Sequence, residues 1–236
     1  MSSATITTSA RLMNSTPQTE EQAMVRKVAV SSFLGNFIEW FDYASYSYFA
    51  TTIALVFFPT DNHTVAMLQT FGVFALSFIL RPIGALFWGS YGDKKGRKAA
   101  LAHSIMFMSG ASFLIGCLPS YSVIGVGAPI LLLLLRMVQG FSASGEYAGA
   151  ATFLGEYAPT SKRGIYCSLI PASTAIGLLA GSTLATLMTA NMNSSAMVGW
   201  GWRVPFLLAG PLGLIVLYIR AKLADSPVYP VDERCA

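Results

Sequence analysis

Six apolar runs divide this chain, and most of its charged residues fall outside them, in the short stretches between and in the tails. A bilayer core about 30 Å thick needs about 20 mostly apolar residues of helix to cross it. The runs at 28–49, 65–88, 99–118, 124–157, 164–190 and 204–219 predict an all-α membrane protein, a six-transmembrane-helix bundle within residues 25–223. Residues 1–24, rich in Ser and Thr, read as a disordered tail, and 224–236 as a polar C-terminal tail. The fourth run shows no clear breaker and is longer than a bilayer requires, so its helix is expected to project beyond the membrane. Pro82, after Arg81, is expected to kink the second span. Gly177 and Gly181 give the fifth a small face suited to close packing.

Composition agrees with this pattern. Hydrophobic residues are 54% of the 236 positions and charged residues 11%, and the mean hydropathy of +0.57 is too high for an ordinary water-soluble domain. The net charge of +4 does not point to nucleic acid, because the bases are scattered through loops rather than gathered on one face. Their distribution instead predicts orientation. Arg26 and Lys27, the stretch Gly89 to Lys98, Lys162 with Arg163, and Arg220 with Lys222 alternate with loops carrying no base or, between spans 5 and 6, only Arg203. Basic loops stay inside, so both termini are expected on the cytoplasmic side of a multi-pass protein. The N-terminus lacks the features of a cleaved signal, so the first span is expected to remain as an anchor. Trp200 and Trp202 are expected at a headgroup interface.

Charges inside the apolar runs carry the functional signal. An ionisable group at mid-membrane costs at least about 2.5 to 3.5 kcal/mol, so it turns toward the bundle interior. Asn36, Glu39 and Asp42 lie in span 1, Arg81 in span 2, and Arg136, Gln139, Glu146 and Glu156 along span 4. Glu39 and Asp42, three apart, share nearly one helix face, where Arg81 or Arg136 could neutralise them. The functional reading is a proton or substrate-cation site; the plainer reading is a set of structural ion pairs. Arg136 keeps its proton and suits either a carboxylate partner or a carboxylate on a substrate. His103, alone in span 3, is expected as a packed neutral imidazole. Trp40, Phe41, Tyr43, Tyr46 and Tyr48 could wall a quaternary ammonium ligand or simply pack. The acid-bearing spans 1 and 4 are three apart, the spacing of a three-plus-three inverted repeat. No nucleophile elbow, zinc spacing, nucleotide loop or redox cysteine pair is visible, so no enzyme activity, cofactor or metal is expected.

Between spans 2 and 3, Gly89-x-x-x-Asp93-Lys94-x-Gly96-Arg97-Lys98 resembles the signature loop of the major facilitator superfamily. Leu135-Arg136-Met137-Val138-Gln139-Gly140 resembles its span-4 motif, whose arginine is linked in that family to proton coupling. Gly145-Glu146-Tyr147-x-Gly149, Glu156-Tyr157-Ala158-Pro159 with Lys162-Arg163-Gly164, Gly35 to Asp42, Arg81-Pro82-Ile83-Gly84 and Gly199 to Phe206 resemble the metabolite:proton symporter branch, most closely its proline/betaine members. The resemblance implies secondary active, proton-coupled symport of a small polar metabolite of the proline/betaine or organic acid class, in a bacterial inner membrane. It places Asn36, Glu39, Asp42, Arg81, Arg136, Gln139 and Glu146 on the proton and substrate pathway. Gly89, Asp93, Lys94, Gly96, Arg97, Lys98, Glu156 and Arg163 then form a cytoplasmic gating motif, with Asp93, Arg97 and Glu156 in one charge network. The family has twelve spans in two halves, so this chain is expected to be the N-terminal half, working with a complementary six-helix half. The alternative is a non-transporting membrane fragment that acts through interaction with another membrane protein.

Overall fold

The computed structural model describes residues 16–222. The tails at 1–15 and 223–236 lie outside them. Among the described residues the secondary structure is entirely helical, and six long helices form one bundle.

Span 1 is the helix Thr16–Tyr48, carried on by Ala50–Phe57 through unbroken backbone hydrogen bonds at Phe49 and Ile53. Its start lies inside the stretch read as a disordered tail. Val25 and Val28 are buried just past that stretch, and Met24 packs on the cluster that holds Val28, so an apolar stripe continues the helix outward from the bundle. Span 2 begins under an Asn62 cap, whose Oδ1 accepts from the amides of Thr64 and Val65. It runs as His63–Ile79, breaks at Leu80 and resumes as Arg81–Lys95 with Pro82 in its first turn, the interruption expected from that proline.

Gly96, at φ 91°, separates span 2 from span 3, Arg97–Cys117. That backbone is open to glycine and strained for other residues, so the tight turn depends on it. Span 4 starts at Gly127, after Gly125 turns with φ 57°, and divides into Gly127–Ala143 and Glu146–Tyr157. The expected unbroken helix from 124 is thus interrupted at both places, because glycine at 125 and Ser144-Gly145 supply turns that hydropathy does not register. Span 5 is Leu169–Asn191, entered through the short helix Arg163–Cys167. Span 6 is Arg203–Ala221, entered through a π-turn at Met197–Gly201.

Five of these helical stretches are long and apolar enough to cross a membrane on composition alone. The exception is span 1, where Asn36, Glu39 and Asp42 interrupt the apolar run. Spans 1 and 5, 3 and 6, 3 and 4, 2 and 4, 1 and 6, and 1 and 4 pack together. Exchanging spans 1, 2, 3 for 4, 5, 6 turns the 1–5 pairing into 4–2 and the 1–6 pairing into 4–3, and leaves 1–4 and 3–6 unchanged. These pairings follow the three-plus-three pattern; the packing of span 2 on span 3 has no counterpart of similar extent among the described residues.

Two apolar clusters occupy the ends of the bundle. Tyr46, Phe49, Phe57, Leu132, Trp202 and Phe206 fill one end, and Val28, Leu101, Phe153, Leu154 and Ile170 the other. Trp202 is fully buried with its ring edge-on to Phe57, so only the exposed Trp200 is placed as an interfacial indole would be. The intervening layer is where the charges lie.

Candidate functional site

Residues 39, 42 and 46 follow one another at helical spacing along the buried side of span 1, and 136, 139, 140 and 143 do the same on span 4. Their meeting creates the first charge centre. Arg136 Nη1 donates to Asp42 Oδ2 at 2.7 Å, and Ser112 and Gln139 donate to Asp42 Oδ1 at 2.9 and 3.2 Å. Gln139 also donates to Ser112. Asp42 therefore gathers three donors from spans 3 and 4. Arg136 is completely buried, and its guanidinium lies over the Tyr46 ring at 3.8 Å and near Phe206 at 5.5 Å. Its Nε and Nη2 have no hydrogen-bond partner. Aromatic faces hold this cation in place of further oxygens.

Glu39 and Arg81 make the second centre. Arg81 begins the second segment of span 2, just past the break at Leu80, and donates to both Glu39 Oε1 and Tyr43 Oη. Its side chain is 28% exposed, whereas that of Glu39 is 2% exposed. Glu39 Oε2 is buried without a hydrogen-bond partner. The span-1 aromatics do not form an open cage: Arg81 already lies over Tyr43, Arg136 over Tyr46, and Tyr48 is exposed.

A third centre joins Glu146 to Arg220, both nearly fully buried. Arg220 donates through Nη2 to Glu146 Oε1 and through Nη1 to Oε2 at 3.0 Å, while Ser104 donates to Oε2 at 3.1 Å. Arg220 also reaches the carbonyl of Leu101. Sequence reading counted Arg220 among the loop bases, because the apolar run stops at Ile219. The available signal was a balance of charge: Glu39, Asp42 and Glu146 need three cations, and Arg81 and Arg136 supply two. Gly35 leaves the room for this pair, since a Cβ there would sit 2.0 Å from Glu146 Oε1.

Asn36 is buried but joins none of these centres. Its Nδ2 donates to Ile170 O, Ser173 Oγ and Thr174 Oγ1 at 2.8–3.0 Å, which fastens span 1 to span 5. His103 is exposed rather than packed inside; its Nδ1 bonds Ala99 O and its ring meets the edge of Tyr91. An imidazole on the outer face of span 3 needs no buried partner.

At the end of the bundle carrying the signature loop, Arg97 Nε lies 3.0 Å from Glu156 Oε1. Asp93 and Arg97 line a cavity of 180 Å³ with Gly89, Gly92, Ser144 and Gly149. Lys94 is exposed, Lys98 half-buried, and Arg163 is an exposed residue at the head of the short helix before span 5. Of the three charges expected in one network, Arg97 and Glu156 form an ion pair, and Asp93 shares only the cavity wall with Arg97.

Known proteins resemble this chain in sequence and in fold. A family profile described as "Sugar (and other) transporter" matches residues 27–234. The glycine betaine/proline/ectoine/pipecolic acid transporter OusA of Dickeya dadantii is 43% identical over 209 residues, which are 89% of this chain and 42% of that protein. A proline/betaine transporter of Salmonella typhimurium is 42% identical with the same coverage. This chain therefore spans less than half the length of those relatives. Among solved structures, the proton:xylose symporter XylE bound to 6-bromo-6-deoxy-D-glucose superposes with a TM-score of 0.77 at 16% identity, covering 88% of this chain and 46% of that one. Its inward open form, from E. coli, gives 0.76 at 17% identity, covering 89% and 50%. The match over residues 27–234 identifies this chain as a member of the Sugar (and other) transporter family, a family of transporters rather than of enzymes, and its helical bundle shares the fold of the major facilitator symporter XylE.

Proposed function

We propose that this chain forms one six-helix half of a proton-coupled symporter for a small polar metabolite of the proline/betaine or organic acid class. The observation that carries this reading is the pair Asp42–Arg136, buried in the layer between spans 1 and 4. A carboxylate held by a permanent cation is a two-state element. With Asp42 ionised the pair clamps the two spans together; with Asp42 protonated the charge attraction is lost, and Arg136 is held only by a neutral hydrogen bond and its aromatic contacts. Glu39 and the partly exposed Arg81 supply a second such element beside it. Rocking against a second six-helix half turns these changes into alternating access. The Asp93, Arg97 and Glu156 neighbourhood closes the cytoplasmic side, with both termini on that side of a bacterial inner membrane. The named relatives in Dickeya and Salmonella support the substrate class.

Uptake of labelled proline, betaine and a dicarboxylate into proteoliposomes under an imposed pH gradient tests the proposal, with the chain alone and with a relative's C-terminal half supplied. The expected result is gradient-dependent uptake of one of these solutes in the paired sample. No gradient-dependent uptake in either sample overturns symport and favours a role confined to interaction with another membrane protein.

A further inference from the structure

A cleft opens where the start of span 1 passes the connection between spans 4 and 5. Arg26, Val30 and Phe33 recur at helical spacing on one face of span 1 and form one wall. Lys162, Tyr166 and Leu169, from the connection into span 5, form the other. The cleft holds 730 Å³, within the range of about 300 to 1,000 Å³ typical of small-molecule sites. Tyr166 and Leu169 pack on the apolar cluster of Val28 and Ile170, which anchors the second wall to the bundle, while Arg26 and Lys162 are exposed.

The two cations belong to the lining itself, one on each wall, and no acidic side chain among the described residues shares it. Arg81, Arg136, Arg220 and Arg97 all have carboxylate partners. Arg26 and Lys162 make no ion pair with a described residue. Two positive charges on the walls of one cleft repel each other, and an anion between them turns that repulsion into attraction.

Depth separates the charged end from the apolar end. Arg26 stands just before the apolar run that starts at 28, and Lys162 just before the one that starts at 164, so both lie at headgroup level. From Arg26 to Phe33 is seven residues, about 10 Å by helix rise. Half of a bilayer core is about 15 Å. Val30, Phe33 and Leu169 therefore line the cleft at the depth of acyl chains.

We propose that this cleft binds an anionic phospholipid, with its phosphate between Arg26 and Lys162 and an acyl chain along Val30, Phe33 and Leu169. Basic pockets between helices at a membrane surface recognise lipid headgroups. The order of the lining selects this occupant: cations at one end and apolar side chains at the other match the two ends of a lipid, whereas a free phosphate leaves the apolar end uncovered. The proposal does not depend on symport.

The test uses the full chain in phosphatidylcholine vesicles containing phosphatidylglycerol with a photoactivatable diazirine in its acyl chain. Cross-linked peptides are mapped by mass spectrometry. Labelling is expected to concentrate at residues 29–34 and 166–169, well above that at the exposed Leu178 and Leu179 further along span 5. Unlabelled phosphatidylglycerol should displace it, and glycerol 3-phosphate should not. Arg26→Gln and Lys162→Gln should each lower the preference of the cleft for phosphatidylglycerol over a phosphatidylcholine probe by about fivefold. Both side chains are exposed, so neither change disturbs packing. Lys95→Gln, at an exposed base outside the cleft, should leave that preference unchanged. Equal labelling of the cleft and of Leu178 and Leu179, equal labelling by both probes, or an equal loss with Lys95→Gln would each overturn the site. Displacement by glycerol 3-phosphate would overturn it in favour of a free anion. Capture of protein in place of lipid by a photoactivatable side chain introduced at Val30 would overturn it in favour of a protein contact.

Discussion

Arg136 binds Asp42 at 2.7 Å across spans 4 and 1 while lying 3.8 Å from the centre of the Tyr46 ring, one helical turn further along span 1. Span 1 thus holds the same cation by a carboxylate and by an aromatic face. Asp42→Asn removes the countercharge and leaves a fully buried guanidinium, so it should destabilise the bundle by about 3–5 kcal/mol. Adding Arg136→Gln should recover most of that loss, because removing both charges leaves neither uncompensated. Thermal unfolding in detergent of the two single variants and the double variant measures this coupling.

Glu39→Gln should behave differently. Arg81 is partly exposed, so water can replace the lost carboxylate and the stability cost should stay near 1 kcal/mol. If Glu39 carries protons, gradient-driven uptake by the paired halves should nevertheless fall sharply while unfolding barely shifts. Loss of both in proportion would show a structural ion pair only.

Arg220→Gln should cost about 3–5 kcal/mol, because Glu146 is buried and depends on it. A change at a solvated loop base would instead stay within about 0.5 kcal/mol. The melting temperatures of Arg220→Gln and Lys222→Gln, two residues apart, separate the two cases directly.

Arg97→Gln should lower stability by no more than about 1 kcal/mol, since its pair with Glu156 is partly solvated. If the pair acts as a gate, the same variant should alter access of a thiol reagent to a cysteine placed at Ser144 on the cavity wall. Unchanged reactivity would leave the pair without a gating role.

Gly140→Ala should destabilise by about 1–3 kcal/mol, because its Cβ would fall 1.9 Å from the carbonyl oxygen of Ser77. Gly72→Ala, which meets nothing, should be neutral or slightly stabilising. Comparing unfolding of the two separates crowding from helix propensity.

The six spans were legible because bilayer thickness imposes a length on every apolar run. Asp42, Glu39 and their two arginines stood out because charge within such a run is costly. The interruption of span 4 at Ser144-Gly145 was not legible, since small residues also continue a membrane helix. Arg220 escaped because hydropathy assigns a residue to a loop wherever the apolar run ends, while depth depends on how far the helix tilts and what lies beside it. Gly177 and Gly181 were read as a packing face, and a Cβ on either would enter span 1 at Phe37 O or Ala44 Cβ. Which span they would meet required the fold.

Those glycine contacts determine how the bundle carries force. At Gly140 against Ser77, and at Gly177 against Phe37, backbone rests on backbone with no side chain to compress. Spans 2 and 4, and spans 1 and 5, cannot slide without collision. A displacement at the Asp93–Arg97 end reaches these contacts only across the breaks at Leu80 and at Ser144-Gly145, so spans 2 and 4 are jointed there rather than continuous levers.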